Sequence, residues 1–210
     1  KHSVPQCTPE DVLNRRADEM AAADPALKSL IREYHDGLLL YEISNRTVWD
    51  KAAKDEAGLA AYFKKNRKRY KWEKPRFKGI AYWVKEQGDV EAVKASLKKV
   101  PFELWPEHLR KEFNDSTIRI KVVKGIFREG DNALIDKVVF GKDTTVADVK
   151  DFPISATYGE KLKAPKTYKD VRELVVTDYQ EQLEKAWIEA LRKRYTVVLN
   201  KEVLSTVNKH

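Results

Sequence analysis

Few residues in this 210-residue chain are placed to make or break a covalent bond. A metal centre needs His, Cys or carboxylate ligands at short, regular spacing. The four histidines, His2, His35, His108 and His210, are isolated, and the single cysteine, Cys7, has no partner. No metal site is expected and no internal disulfide can form. Acyl-transfer chemistry would need a GxSxG elbow, or a Ser or Cys set beside a base; neither pattern occurs. The eight glycines are scattered, and none builds a GxGxxG or GxxxxGK(S/T) phosphate loop. No cofactor is expected. Carboxylate pairs are abundant, but each fits a helix cap or a surface ion pair. His35 sits beside Tyr34 and Leu38 on a helical seam, and His108 on a short amphipathic helix. Both read as helix residues rather than general bases, so no catalytic residue is assigned.

The residues that remain suit binding. Trp49, Trp72, Trp83 and Trp105 fall near the ends of predicted elements. Aromatic rings exposed beside loops fit extended apolar peptide segments. Trp72, Tyr82, Trp83 and Trp105 are therefore the candidate client contacts. One basic run interleaves with aromatics: Lys64-Lys65-Asn66-Arg67-Lys68-Arg69-Tyr70-Lys71-Trp72. It fits a nucleic-acid or anionic-surface patch, or the cationic C-terminal end of a helix. No nucleic-acid fold signature accompanies it, so the second reading is preferred and no nucleic-acid partner is expected. The net charge of +8 comes from 41 basic and 33 acidic residues, most of them near an opposite charge.

The elements that must position these residues change character along the chain. Thr8-Pro9-Glu10-Asp11 is a helix start, with a capping threonine, a first-turn proline and an acid three residues on. That helix is predicted to reach about Ala23. Asp24-Pro25 opens a second, with Leu27, Ile31, Tyr34, Leu38 and Tyr41 at steps of four and three, the pattern of a packed seam. Gly37 inside it suggests a close helix crossing. Thr47 is predicted to cap a third helix. Asp55 is predicted to cap a fourth, with Leu59, Tyr62 and Phe63 on one face.

Lys74-Pro75 closes this helical stretch, because a residue before proline is pushed out of the helical region. Phe77–Val84 reads as a strand, Asp89–Val100 as a helix, Trp105–Phe113 as a short helix and Thr117–Phe127 as a strand. Ile135–Phe140 and Phe152–Tyr158 read as further strands. The middle is thus a β-α-α-β-β-β unit. Thr167–Tyr195 then reads as one long amphipathic helix, with Tyr179, Leu183, Trp187 and Leu191 on its apolar face. The matching surface is the Leu27-Ile31-Tyr34-Leu38 seam, which predicts an α+β chain closed by its two ends. No stretch approaches the roughly 18 apolar residues of a membrane span.

Three segments carry a family resemblance: EYHDGLLLYEISNRTVWDKA (Glu33–Ala52), GLAAYFKKNRKRYKWEKPRFKG (Gly58–Gly79) and DYQEQLEKAWIEALRKRYTVVLNKEVL (Asp178–Leu204). Together they cover about a third of the chain. They resemble the C-terminal part of the SurA-type, parvulin-containing peptidyl-prolyl isomerases of Bacteroidetes. The resemblance implies a helical chaperone-like domain from residues 1–72 plus 165–210. It implies an inserted parvulin-like α+β domain at residues 73–164, and a C-terminal helix that packs back on the helical part. It also implies an exported, periplasmic foldase that holds unfolded outer-membrane or other exported polypeptides. Further parvulin domains would lie upstream in the same full-length chain.

The middle unit departs from the parvulin pattern where chemistry is concerned. Parvulins typically carry a histidine in the first strand and another in the last. Here the first strand reads Ile80-Ala81-Tyr82-Trp83-Val84, and no histidine falls in Phe152–Tyr158. The glycine-rich GxLG-type segment is missing as well. The expectation is a degenerate unit that holds clients without turning over prolyl bonds. An active prolyl isomerase and a structural module that positions upstream isomerase domains are the alternatives.

Overall fold

The computed structural model describes residues 8–206, so Cys7, His2 and His210 lie outside the described residues. The chain is α+β and divides into two compact units. One is the chain up to Leu59 together with the chain from Val176 on; the other is Ala60–Val175. The first division falls inside a helix, α4 (Glu56–Lys65), and the second inside another, α8 (Arg172–Arg194). Residues 60–72 and 165–175, read from sequence as part of the helical domain, group with the α+β unit.

The first unit is helical. Its α1 (Pro9–Ala23) starts on a capping box in which Thr8 and Asp11 bond each other's backbone N–H. The Asp24 carboxylate accepts from the N–H groups of Ala26 and Leu27 and so starts α2 (Pro25–Ser44). The expected cap at Thr47 does not form. The backbone stays helical through a π turn at Asn45–Trp49 into α3 (Asp50–Lys54), leaving no open N–H group for a cap to serve. The wider turn buries Val48 and brings Tyr41 and Trp49 edge to face at 5.5 Å. Nor does Gly37 mark a crossing, since a Cβ there would meet nothing within 4 Å. Buried apolar side chains in this unit include Val48, Ala52, Leu59 and Tyr179. The run 195–199, which follows α8, is exposed, and α9 (Lys201–Leu204) starts on Asn200.

The second unit is built on a three-stranded antiparallel sheet ordered β2-β1-β3, with β1 (Arg76–Val84) in the middle, β2 (Ile120–Phe127) and β3 (Ile154–Leu162). Alternation divides β1 between two layers. Ile80, Tyr82 and Val84 face α5 (Gln87–Leu97) and α6 (Trp105–Phe113), packing with Val90, Val93, Leu97, Leu109 and Phe113. Phe77 and Ala81 face the other way, onto Leu134, Ile135 and Phe127. Leu134 and Ile135 belong to a helix, α7 (Ala133–Val138), where sequence predicted a strand over Ile135–Phe140. The Asn132 side chain accepts from Ile135 N and starts that helix, and a short apolar run fits either state until such a cap decides. The order is therefore β-α-α-β-α-β. Three glycines, Gly125, Gly79 and Gly159, line up across the sheet. A Cβ on Gly79 would lie 2.3 Å from the Tyr158 carbonyl oxygen, so the strands need glycine to approach there.

Candidate interaction surfaces

In the helical unit the seam read from α2 exists as a stripe, but no described residue covers it. Ile31 is 46% exposed, Tyr34 71% and Leu38 52%. The expected docking of α8 on this seam is therefore not what the structure contains. Tyr179, the first residue of the proposed docking face, is buried elsewhere. A buried tyrosine needs an acceptor for its hydroxyl, and Tyr179 finds it in Asp55 at 2.7 Å. Further along α8, Leu183 and Trp187 are half-buried, while Leu191 and Tyr195 are exposed. The neighbouring α1 adds exposed Val12, Leu13 and Met20, and α2 adds Leu30, Leu39 and Ile43. Burying one such aliphatic side chain is worth about 1.5–3 kcal/mol. Contiguous exposure on this scale is uncommon in a free monomer and marks an interaction surface.

In the α+β unit the four candidate contacts separate into two kinds. Tyr82 is 0% exposed, with its hydroxyl donated to the Val90 carbonyl at 2.9 Å. Trp105 is buried too; its Nε1 donates to the Val100 carbonyl and its ring stacks on Tyr158 at 5.5 Å. Both are core residues and present no binding surface, a correction to their sequence-based assignment. Trp83 is half-buried on the α7 face of the sheet. Trp72 is half-buried beside a cleft, with the Arg76 guanidinium 4.8 Å over its ring.

Phe102, which sequence did not single out, lies at the centre of a second cleft, of about 620 Å³. Ala60, Phe63 and Tyr168 add apolar walls, and Lys64, Arg67, Lys78, Lys166 and Lys169 surround them. Lys78 lies 4.8 Å and Lys124 4.4 Å from the Phe102 ring centre. Burial holds the Lys124 ammonium below the usual lysine value; Glu103 opposes the shift and Lys78 adds to it. The nearby acids are engaged: Asp170 with Lys78 at 2.5 Å, Glu160 with Lys166 at 2.5 Å and Glu103 with Lys169 at 3.7 Å. Lys64 and Arg67 have no acidic partner among the described residues. The cleft can take an apolar group that carries negative charge. No pattern in the sequence could have found it, because its walls come from four separated stretches.

The basic run has two structural roles. Lys64 and Lys65 occupy the last turn of α4, where the helix dipole favours cations. Arg67–Tyr70 is a separate 3-10 turn, so the dipole account stops short of Arg67, Lys68 and Arg69. With Lys71, those residues line a third cleft against Ala164 and Pro165. Neither described histidine lies on a strand. His35 is exposed on α2, and His108 on α6 lies 2.7 Å from Glu112. Among the described residues no group of His, Cys, Asp and Glu comes together as a metal ion would require. No described helix is long and apolar enough to cross a membrane. Compared with known proteins, the chain matches no family model, no curated protein and no solved structure.

Proposed function

We propose that this chain is the chaperone portion of an exported, SurA-like foldase that holds unfolded periplasmic or outer-membrane polypeptides without turning over prolyl bonds. The observation that carries the reading is the uncovered apolar face of α1 and α2, centred on Ile31, Tyr34 and Leu38. Such a face binds apolar stretches of many sequences, because burial of apolar area is not directional. Each contact is modest, and binding that removes unfolded chains from solution keeps them from aggregating. The cationic cleft around Phe102 would add affinity for acidic segments. The β-α-α-β-α-β order of the second unit is consistent with a parvulin-like origin. The lack of a histidine on its strands supports holding over catalysis.

Aggregation of a urea-diluted outer-membrane barrel protein, followed by light scattering, tests the proposal. The chain should suppress scattering, and Ile31→Asp with Leu38→Asp should remove most of that effect while circular dichroism stays unchanged. A chain that suppresses nothing supports the structural-module reading. A protease-coupled prolyl-peptide assay on the same sample tests catalysis, and turnover above the uncatalysed rate would establish the isomerase alternative.

A further inference from the structure

The cleft beside Trp72 has a chemistry that peptide holding does not explain. It has a volume of about 550 Å³, and Arg69, Lys71, Lys74, Arg76 and Arg128 line it against only two carboxylates, Glu73 and Glu129. Glu129 is already taken, 3.9 Å from Lys74 and 3.2 Å from Lys142. One cation that lines the cleft is left without an acceptor. The half-buried Arg76 guanidinium has no carboxylate or hydrogen-bond partner among the described residues; its contact is the face of Trp72. The Nε1–H of Trp72 is shut off from solvent and meets no acceptor. That atom is closed to the cleft as well, so the group a ligand oxygen would satisfy is the Arg76 guanidinium, half-buried on an aromatic face with no counter-charge in contact. Burial, and after it the charge of Arg128, holds Arg76 below the ordinary guanidinium value, with Asp131 opposing. Like charges are therefore crowded in this cleft, and an anion would relieve them.

We infer that this cleft binds a phosphate monoester or diester carrying an apolar body. Arg76 and Arg128 hold the phosphate oxygens, the Trp72 ring backs the Arg76 guanidinium, and Pro75, Val171 and Leu174 receive the apolar part. Guanidinium forks match the spacing of phosphate oxygens and bind them bidentately. Five cations line the cleft against Glu73 and Glu129, and Asp131 beside it lies 3.6 Å from Arg128, so the local excess is about two positive charges, which favours phosphate over a single carboxylate. This assignment does not depend on client holding, and either can fail without the other.

Phenyl phosphate, inorganic phosphate and sodium acetate are titrated into the full chain at constant ionic strength, with calorimetry and tryptophan fluorescence as readouts. Phosphatidylglycerol vesicles, against phosphatidylcholine vesicles, form a separate arm. Phenyl phosphate should saturate one site and bind more tightly than inorganic phosphate, with acetate weaker than both. Arg76→Gln and Arg128→Gln should each weaken it by about tenfold, the loss of one charged hydrogen-bonded contact. Lys150→Gln, which removes an exposed charge elsewhere, should leave it unchanged, and Trp72→Phe should remove the fluorescence response. Vesicle binding lost together with phenyl phosphate binding in Arg76→Gln identifies a lipid headgroup as the source; phenyl phosphate binding without vesicle binding identifies a soluble phosphoester. Arg128, 67% exposed along its side chain, carries the test if Arg76→Gln unfolds the chain. Equal binding of acetate, equal weakening by Lys150→Gln, vesicle binding without phenyl phosphate binding, or no saturation by any probe would each overturn the assignment.

Discussion

Tyr179 donates its hydroxyl to Oδ2 of Asp55 at 2.7 Å, across 124 residues of sequence. The other oxygen, Oδ1, accepts from the backbone N–H of Gly58 at 2.9 Å and caps α4. One carboxylate thus starts a helix from the first part of the chain and fastens a helix from the last. Gly58 leaves the room for it, since a Cβ there would lie 2.2 Å from Asp55 Oδ2 and 2.4 Å from the Tyr179 hydroxyl. Gly58→Ala in an ordinary helix would gain about 1 kcal/mol from propensity. Here it should lower the midpoint of thermal unfolding, as should Tyr179→Phe, and the double variant should be little worse than either alone. An additive double variant would mean that the two residues act separately.

The same pair sets a pH dependence. The Gly58 N–H first, then the Tyr179 hydroxyl, hold the Asp55 carboxyl below its ordinary value of 3.8, with Lys51 adding to the shift. A depressed carboxylate contributes stability that is present above its unfolded value and is lost as pH falls through the folded one. Tyr179 is pushed up to about 12, by burial first and then by Asp55, from an ordinary 10.0. Its contribution is complete below pH 10.0 and disappears as pH rises toward about 12. Urea midpoints measured across pH should therefore fall below pH 3.8 and above pH 10.0, and Tyr179→Phe should flatten both limbs. Tyr82, whose hydroxyl is also raised by burial, keeps part of the alkaline limb in the variant.

Lys78 on β1 and Asp170, in the 3-10 turn at Tyr168–Val171 ahead of α8, form a buried pair of a different kind. Asp170 also accepts from the backbone N–H groups of Lys166 and Thr167, at 2.8 and 3.1 Å. Asp170→Ala leaves an ammonium and two N–H groups unpaired, and should cost about 3–5 kcal/mol in chemical denaturation. Lys78→Met leaves the carboxylate two donors and fills the space with an apolar chain, so it should cost less. The reverse order would mean that the ammonium, not the carboxylate, organises this turn.

Two glycines give a contrast in sign. Gly79→Ala forces a methyl group against backbone atoms of β3 and should cost about 1–3 kcal/mol. Gly37→Ala meets nothing within 4 Å on α2 and should gain about 1 kcal/mol. Paired urea titrations measure both.

Local signals were legible in the residues themselves. Thr8-Pro9-Glu10-Asp11, Asp24-Pro25 and Asp55 each start the helix they predict, because a cap is a contact over two or three residues. The inward positions Val90, Val93 and Leu97 follow from period alone. Ile135–Phe140 was misread because a short apolar run has no period of its own, and the Asn132 cap tipped it to a helix. The aromatic candidates could not be separated by type. Tyr82 is core and Trp72 lies at a cleft, and only the packing of the helices on β1 distinguishes them.

The sequence by itself determined the α+β composition, most helix starts, and a chain whose helical ends bracket a sheet. It also supplied the amphipathic stripes on α2 and α8, but a stripe states that a face is apolar, not what covers it. Tertiary structure decided that Tyr179 goes to Asp55 while Ile31, Tyr34 and Leu38 stay exposed. It also drew Lys64, Lys78 and Lys169 around Phe102, and Arg76 and Arg128 into one cleft. The physical reason is range. Caps and periods act within a turn or two of the chain, whereas a buried hydroxyl or a guanidinium can satisfy itself with any acceptor that folding brings near.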